Sequence, residues 1–173
     1  MSSQKLEGFR IRWMIRSDMK AVQDIEDRNS GRSHNLNGAW SSEDFLDFLR
    51  QPNSIGMVAV CNSHTDKEKV IGYMLYQLYP DRIHIFSLVV DPDYVHLRVG
   101  TSLMDRVKSK LSQYQRKCLE IDIRESNFGA QMWLKALGFK AFQVVRDWYK
   151  APEVEDAYKF RFLMEDKDGT QLK

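Results

Sequence analysis

The sequence predicts an α/β fold of the α+β kind: one mixed, twisted sheet with helices on both faces. Three observations carry this. Along the chain the apolar period switches between two and about 3.6 residues, in the order β α α β β β α β α β β. In the middle, short polar turns separate three apolar runs, which implies an antiparallel meander. Further on, Leu119, Ile121 and Ile123 alternate with Glu120, Asp122 and Arg124, the pattern of a strand buried on one face.

Each element has its own signal. Ile11–Ile15 reads as a short strand. Ser17 is a candidate N-cap for a helix to Arg28, with Met19, Val22 and Ile25 at helical spacing. Residues 29–39, rich in Asn, Gly and Ser, read as a loop. Ser41, three before Asp44, forms a variant capping box and opens a short helix carrying Phe45, Leu46, Phe48 and Leu49; Pro52 and Asn53 end it. Ile55–Cys61, Val70–Leu78 and Ile83–Val90 are the meander strands. The segment Arg98–Tyr114 has the strongest helical stripe, Val99, Leu103, Val107 and Leu111. Asn127–Ala136 is a second helix of the same kind, closed by Gly138 as a C′ glycine. Phe139–Tyr149 and Tyr158–Met164 complete a sheet of about seven strands.

The 173 residues, 43% of them hydrophobic, suit one domain with one core, over 10–164, with 1–9 and 165–173 as flexible tails. No apolar run approaches the roughly 18 residues of a membrane span. The first residues lack a secretory signal, so a cytoplasmic chain is expected. Cys61 and Cys118 belong to no CxxC pair and are expected as buried thiols. The four His are scattered at 34, 64, 84 and 96, without metal-ligand spacing, so no metal is expected. A net charge of +2 speaks against a dedicated nucleic-acid binder. The methionines on apolar elements read as core filling.

Candidate chemistry gathers where the strand ending Ser87-Leu88-Val89-Val90-Asp91-Pro92 turns through Val95-His96-Leu97-Arg98 into the helix at Val99-Gly100-Thr101-Ser102. A helix N-terminus offers unpaired N–H groups and a positive dipole end, which suits a pyrophosphate. Gly100 permits close backbone approach, and Thr101 and Ser102 carry hydroxyl donors.

Taken with Glu125-Ser126-Asn127, Ala130, Gly138-Phe139, Ile25-Glu26, Trp40-Ser41, Arg146-Asp147-Trp148-Tyr149 and Glu155-Asp156-Ala157, this order of motifs resembles the GNAT N-acetyltransferases over residues 10–164. Within them it is similar to the RimI type, which acetylates a ribosomal-protein N-terminus. The resemblance implies a sheet splayed at a central V, with acetyl-CoA as co-substrate between Ile83–Val90 and Cys118–Arg124. Main-chain groups of Leu88 and Val90 would meet the pantetheine arm, and an N–H of Val89 or Val90 the oxyanion. Val95, Arg98, Val99, Gly100, Thr101 and Ser102 would hold the phosphates, and Asn127 the cofactor arm. Asp122 falls on the family's catalytic glutamate. Tyr149 and Tyr158 are candidate proton donors, and Glu26, Trp40 and Tyr149 flank the acceptor, a protein or peptide N-terminus. A monomer or homodimer is expected, with no nucleic-acid or membrane partner.

Two departures stand out. The family's phosphate loop has Gln or Arg where this chain has Val95, and glycine where it has Arg98. If that inner position requires positive φ, arginine costs on the order of 1 kcal/mol there. The RimI-type tyrosine seven residues after the asparagine is Leu134. A small-molecule amine acetyltransferase, or a catalytically weak acyl-CoA-binding or partner-binding protein of this fold, are the alternatives. The acceptor reading has a chemical basis: an α-amine titrates at about 7.7–8.0 and lysine at about 10.4, so a weak base serves the former better. The charge distribution agrees. Residues 95–117 carry six basic residues and one acid, and residues 17–50 four basic residues and seven acids.

Overall fold

The computed structural model describes residues 8–29, 39–62, 68–112 and 115–164. The predicted tails, most of the loop after Arg28 and part of the turn after Asn62 therefore lie largely outside the described residues. The elements follow the predicted order: β1 (Arg10–Trp13), α1 (Met19–Arg28), α2 (Ser42–Arg50), β2 (Ser54–Asn62), β3 (Glu68–Leu78), β4 (Arg82–Val90), α3 (Val99–Lys108), β5 (Cys118–Arg124), α4 (Phe128–Ala136), β6 (Lys140–Tyr149) and β7 (Glu155–Leu163). They build one seven-stranded sheet in the order β1-β2-β3-β4-β5-β7-β6. Every neighbouring pair is antiparallel except β4 and β5. That parallel pair needs a crossover, which α3 supplies.

Two apolar layers sandwich the sheet. Val99, Leu103 and Val107 of α3 and Leu134 of α4 pack on Met74, Ile85 and Ile121. On the other face Val22 and Ile25 of α1 and Phe45 and Phe48 of α2 pack on Val58, Tyr73 and Val89. The α2 cap forms as its sequence predicts: Ser41 Oγ accepts the Asp44 N–H at 3.1 Å, and the Asp44 carboxylate accepts the Ser41 N–H at 2.9 Å. Ser41→Ala removes the first bond and should cost about 1 kcal/mol in a urea melt; an unchanged midpoint would mean that packing alone holds α2.

Four details differ from the sequence reading. Ser17 does not cap α1. Residues Arg16–Asp18 form a 3-10 turn instead, and the Asp18 carboxylate accepts the Ile15 N–H at 2.8 Å. Burial pushes the Asp18 carboxyl up, but Arg12, 2.7 Å away, and the Ile15 N–H outweigh it and hold it below the usual range. The second difference is α3, which stops at Lys108. Beyond it Lys110 and Leu111 N–H groups donate to Val107 and Lys108, tightening the last turn, and Ser109 Oγ bonds the Arg106 carbonyl at 2.8 Å. Third, Cys118 is only half-buried because it opens β5 at the end of the sheet; both cysteines are unpaired. Fourth, Met132 is 63% exposed on α4 and fills no core.

The feature that shapes the site is an irregularity between β3 and β4. Leu75 pairs with Ser87 and Tyr76 with Ile85, so Phe86 is an extra residue. A bulge of this kind re-aims side chains and increases twist. Before it, Ile83 and Ile85 face α3; after it, Leu88 and Val90 do. His84 and Phe86 are both left on the α2 face, with their rings 4.7 Å apart and Phe86 5.0 Å from Phe48. The β4–β5 register ends at the same place, with Ile85 opposite Ile121. Beyond that pair the two strands part.

Candidate active site

The divergence leaves a cleft of about 370 Å³ between the end of β4, β5 and the N-termini of α3 and α4. All the predicted cofactor residues except Ser102 line it. Ser102 is already inside the helix, its N–H bonded to the Arg98 carbonyl at 2.9 Å. Among the described residues the β5-facing edge of Phe86–Val90 has no strand partner, as a strand-like ligand requires. At Gly100 a Cβ would stand 3.5 Å from Val90 Cγ2 and 3.6 Å from Leu88 and Trp133, in ordinary contact but occupying cleft space beside the α3 N-terminus. Asn127 caps α4, its Oδ1 accepting the Ala130 N–H at 3.2 Å, and its Nδ2 is unengaged among the described residues. Across the cleft Trp133 Nε1 reaches Thr101 Oγ1 at 3.5 Å. These features fit a phosphate-bearing ligand with an extended amide arm.

The turn into α3 is strained as the sequence suggested. Arg98 takes φ 63° and His96 φ 65°, both left-handed. Arg98→Gly should raise stability by about 1 kcal/mol, read as a higher urea midpoint; a lower one would show that the Arg98 side chain makes the turn. The turn is also pinned from α1. Arg28 bonds the Asp91 carboxylate at 2.9 and 3.0 Å and Asp93 at 2.9 Å, tying the end of the helix to the end of β4.

A second cavity, of about 310 Å³, opens on the α2 face of the same splay. Trp40 and Asp122, both predicted, line it, together with His84, Phe86, Phe48 and Trp148. His84 Nε2 lies 3.9 Å from Asp122 Oδ2, with side-chain exposures of 16% and 12%. Burial pushes the His84 imidazole below its ordinary 6.5, against the opposing pull of Asp122. The ring is thus neutral at pH 7. Lys159, opposite Asp122 in the β5–β7 register, donates to Asp122 Oδ2 at 3.0 Å. Among the described residues Asp122 Oδ1 is buried without a partner, as are Trp40 Nε1 and the Tyr149 hydroxyl. Such groups call for a reason, and these three belong to this cavity or its surroundings.

Tyr149 is fully buried, under the Arg124 guanidinium at 4.1 Å. Burial first, then the Asp122 charge, raises its pKa well above the ordinary tyrosine range, so it keeps its proton. It lines neither cavity. Glu26 is 1% exposed and both its oxygens are taken, by the Trp40 N–H at 3.0 Å and the Tyr73 hydroxyl at 2.5 Å. Ser87 Oγ extends this network to the Tyr73 hydroxyl at 3.2 Å. Glu26 therefore braces the wall between the two cavities.

The sequence reading did not single out His84, Phe86, Trp148 or Lys159 for the site. One signal was available: His84 alternates with Ile83 and Ile85 as Asp122 does with Ile121 and Ile123, so on paired strands the two share a face.

Residues 19–139 match the family model described as the acetyltransferase (GNAT) family. The chain belongs to the GNAT acetyltransferase family. A curated GNAT relative, the [ribosomal protein bS18]-alanine N-acetyltransferase of Escherichia coli K12, is 27% identical over 85 residues, 49% of this chain and 57% of that protein. The N-alpha-acetyltransferase of Sulfurisphaera tokodaii is 34% identical over 76 residues, 43% of this chain and 44% of the relative. The match thus spans about half the length of these relatives. Among solved structures, the E. coli ribosomal-protein-S18-alanine N-acetyltransferase superposes with a TM-score of 0.75 at 21% identity, over 95% of this chain and 100% of that one. Arabidopsis thaliana NAA60 in complex with a bisubstrate analogue gives 0.76 at 17%, over 94% and 100%. Both likenesses show the GNAT fold, with its sheet open at the V.

Proposed function

We propose that this GNAT protein is an acetyl-CoA-dependent N-acetyltransferase acting on the α-amine of a protein or peptide N-terminus. The observation that carries the reading is the pairing of two cavities across one splay, one suited to the CoA arm and phosphates, the other holding a buried, neutral histidine beside a carboxylate. The names of the relatives support the acceptor class.

Acetyl-CoA supplies an activated acetyl thioester. The protein's residues do the rest. The unpaired edge of Phe86–Val90 aligns the arm, and the main-chain N–H of Val90, which points away from β3, faces the developing oxyanion. The turn Val95–Thr101 and the α3 N-terminus take the phosphates, with Asn127 on the arm. Fixing both reactants at the splay lowers the barrier by orientation. His84, with Asp122, takes the proton from the incoming ammonium; Asp122 stabilises the imidazolium that results, and Lys159 fixes the Asp122 carboxylate. Tyr149 lines neither cavity, so the departing thiolate takes its proton from water in the open cleft.

The test is a melting-temperature titration with acetyl-CoA. A saturable rise is expected, by the linkage of ligand binding to stability, and it should weaken in Asn127→Ala. No rise at any concentration would sink the reading.

A further inference from the structure

We propose that the acceptor cavity selects an N-terminus whose first residue is large and apolar, of the methionine, leucine or phenylalanine class, over one that begins with alanine or serine. The inference rests on the N-terminal acetyltransferase reading and deepens it. The proton acceptor, the His84–Asp122 pair, sits in the wall of the cavity, so an α-amine delivered to it places the first side chain inside the same space. That space measures about 310 Å³. An alanine methyl would fill a small part of it.

The inner wall is aromatic, built by Trp40, Phe48, Phe86 and Trp148, while the exposed Asp44, Asp47 and Gln51 line its rim. Trp40 stacks on Phe45 at 5.4 Å and meets Phe48 edge-on at 5.6 Å; Phe48 contacts Phe86 at 5.0 Å, and Phe86 contacts His84 at 4.7 Å. Each ring is held by the next, and Trp40 and Phe48 are 7% and 4% exposed. Trp148 is held from the far side by Lys159, whose ammonium lies 5.0 Å from the ring. A wall of interlocked rings rewards a guest that packs against it and leaves contacts unmade with one that does not. Each added methylene in such a pocket is worth about tenfold or more in kcat/KM.

The experiment measures thiol release from acetyl-CoA with peptides that differ only at residue 1 (Ala, Ser, Val, Met, Leu, Phe), and a second set that differs only at residue 2. Methionine, leucine or phenylalanine at position 1 should exceed alanine in kcat/KM by about tenfold or more, with position 2 having a smaller effect. Gln51→Trp narrows the cavity from the end of α2 and should abolish the preference while alanine peptides still turn over; its melting curve reports whether it folds. Should it fail to fold, Asp47→Trp narrows the same cavity and is read in the same way. Equal or better turnover of alanine peptides, or a preference that follows position 2 instead, overturns the inference and leaves the acetyltransferase reading standing. No turnover of any peptide overturns both.

Discussion

His84→Gln is expected to lower kcat/KM for a free-amine peptide by on the order of 10²–10⁴-fold, with the melting temperature little changed. In the proposed mechanism the imidazole, largely buried and 3.9 Å from Asp122, is the base. Glutamine keeps a polar side chain there and cannot take a proton. The pH profile gives a second readout. Because burial places the His84 pKa below 6.5, the base is in its active form at neutral pH, and activity should fall only as pH drops through that lowered value. The same shift bears on stability. The unfolded chain protonates this histidine more readily, so His84 costs stability as pH falls below 6.5, until the folded form protonates too. Asp122→Asn should also slow the reaction, by leaving the imidazolium without its counter-charge. If His84→Gln keeps full rate while Asp122→Asn loses it, the carboxylate alone is the base. If both keep full rate, neither is.

Glu26→Ala should have the largest effect on stability, about 3 kcal/mol or more. Two buried donors, the Trp40 N–H and the Tyr73 hydroxyl, depend on this carboxylate at 3.0 and 2.5 Å. Hydrogen bonds to a charged group are worth about 1.5–3 kcal/mol each, and an orphaned buried donor adds its own desolvation penalty. For a chain of this size the melting temperature should drop by roughly 6–12 °C. Tyr73→Phe removes one bond of the network and should cost less, about 1.5–3 kcal/mol. The experiment also separates two roles for Glu26. A brace lowers the melting temperature in Glu26→Ala. A residue that holds the acceptor amine raises KM in Glu26→Gln at unchanged melting temperature, and that second pattern would contradict the structural role.

Much of the fold was readable from local chemistry. The order of strands and helices followed from the change in apolar period, the α2 cap from Ser41 and Asp44, and the end of α4 from Gly138, which takes φ 87°. Arg98 was legible as a departure from the family's glycine, and the structure places it at the positive φ that glycine favours. What was not legible depends on partners distant in sequence. The bulge at Phe86 exists only relative to β3, and it shifts the alternation so that Leu88 and Val90, beyond it, face α3. The meeting of His84 with Asp122 requires the β4–β5 register. Ser17 does not cap α1 because it lies inside a 3-10 turn, where Arg12, on a different element, and the Ile15 N–H hold the Asp18 carboxylate. The end of α3 was overestimated because Leu111 keeps the apolar stripe while the backbone has already tightened out of the helix. Glu26 was visible as an acid near the acceptor side, but its neighbours Tyr73 and Trp40 could not be read from its own helix.

The most direct measurement compares three peptides in the same acetyl-CoA assay, with mass spectrometry locating the product. One has a free N-terminus and no lysine, the second is the same peptide formylated, and the third is formylated and carries an internal lysine. The proposed chemistry predicts acetylation of the first, at its α-amine, with one thiol released per peptide, and none of the other two. Acetylation of the third at its lysine, or no acetylation of the first while acetyl-CoA binds, would contradict it.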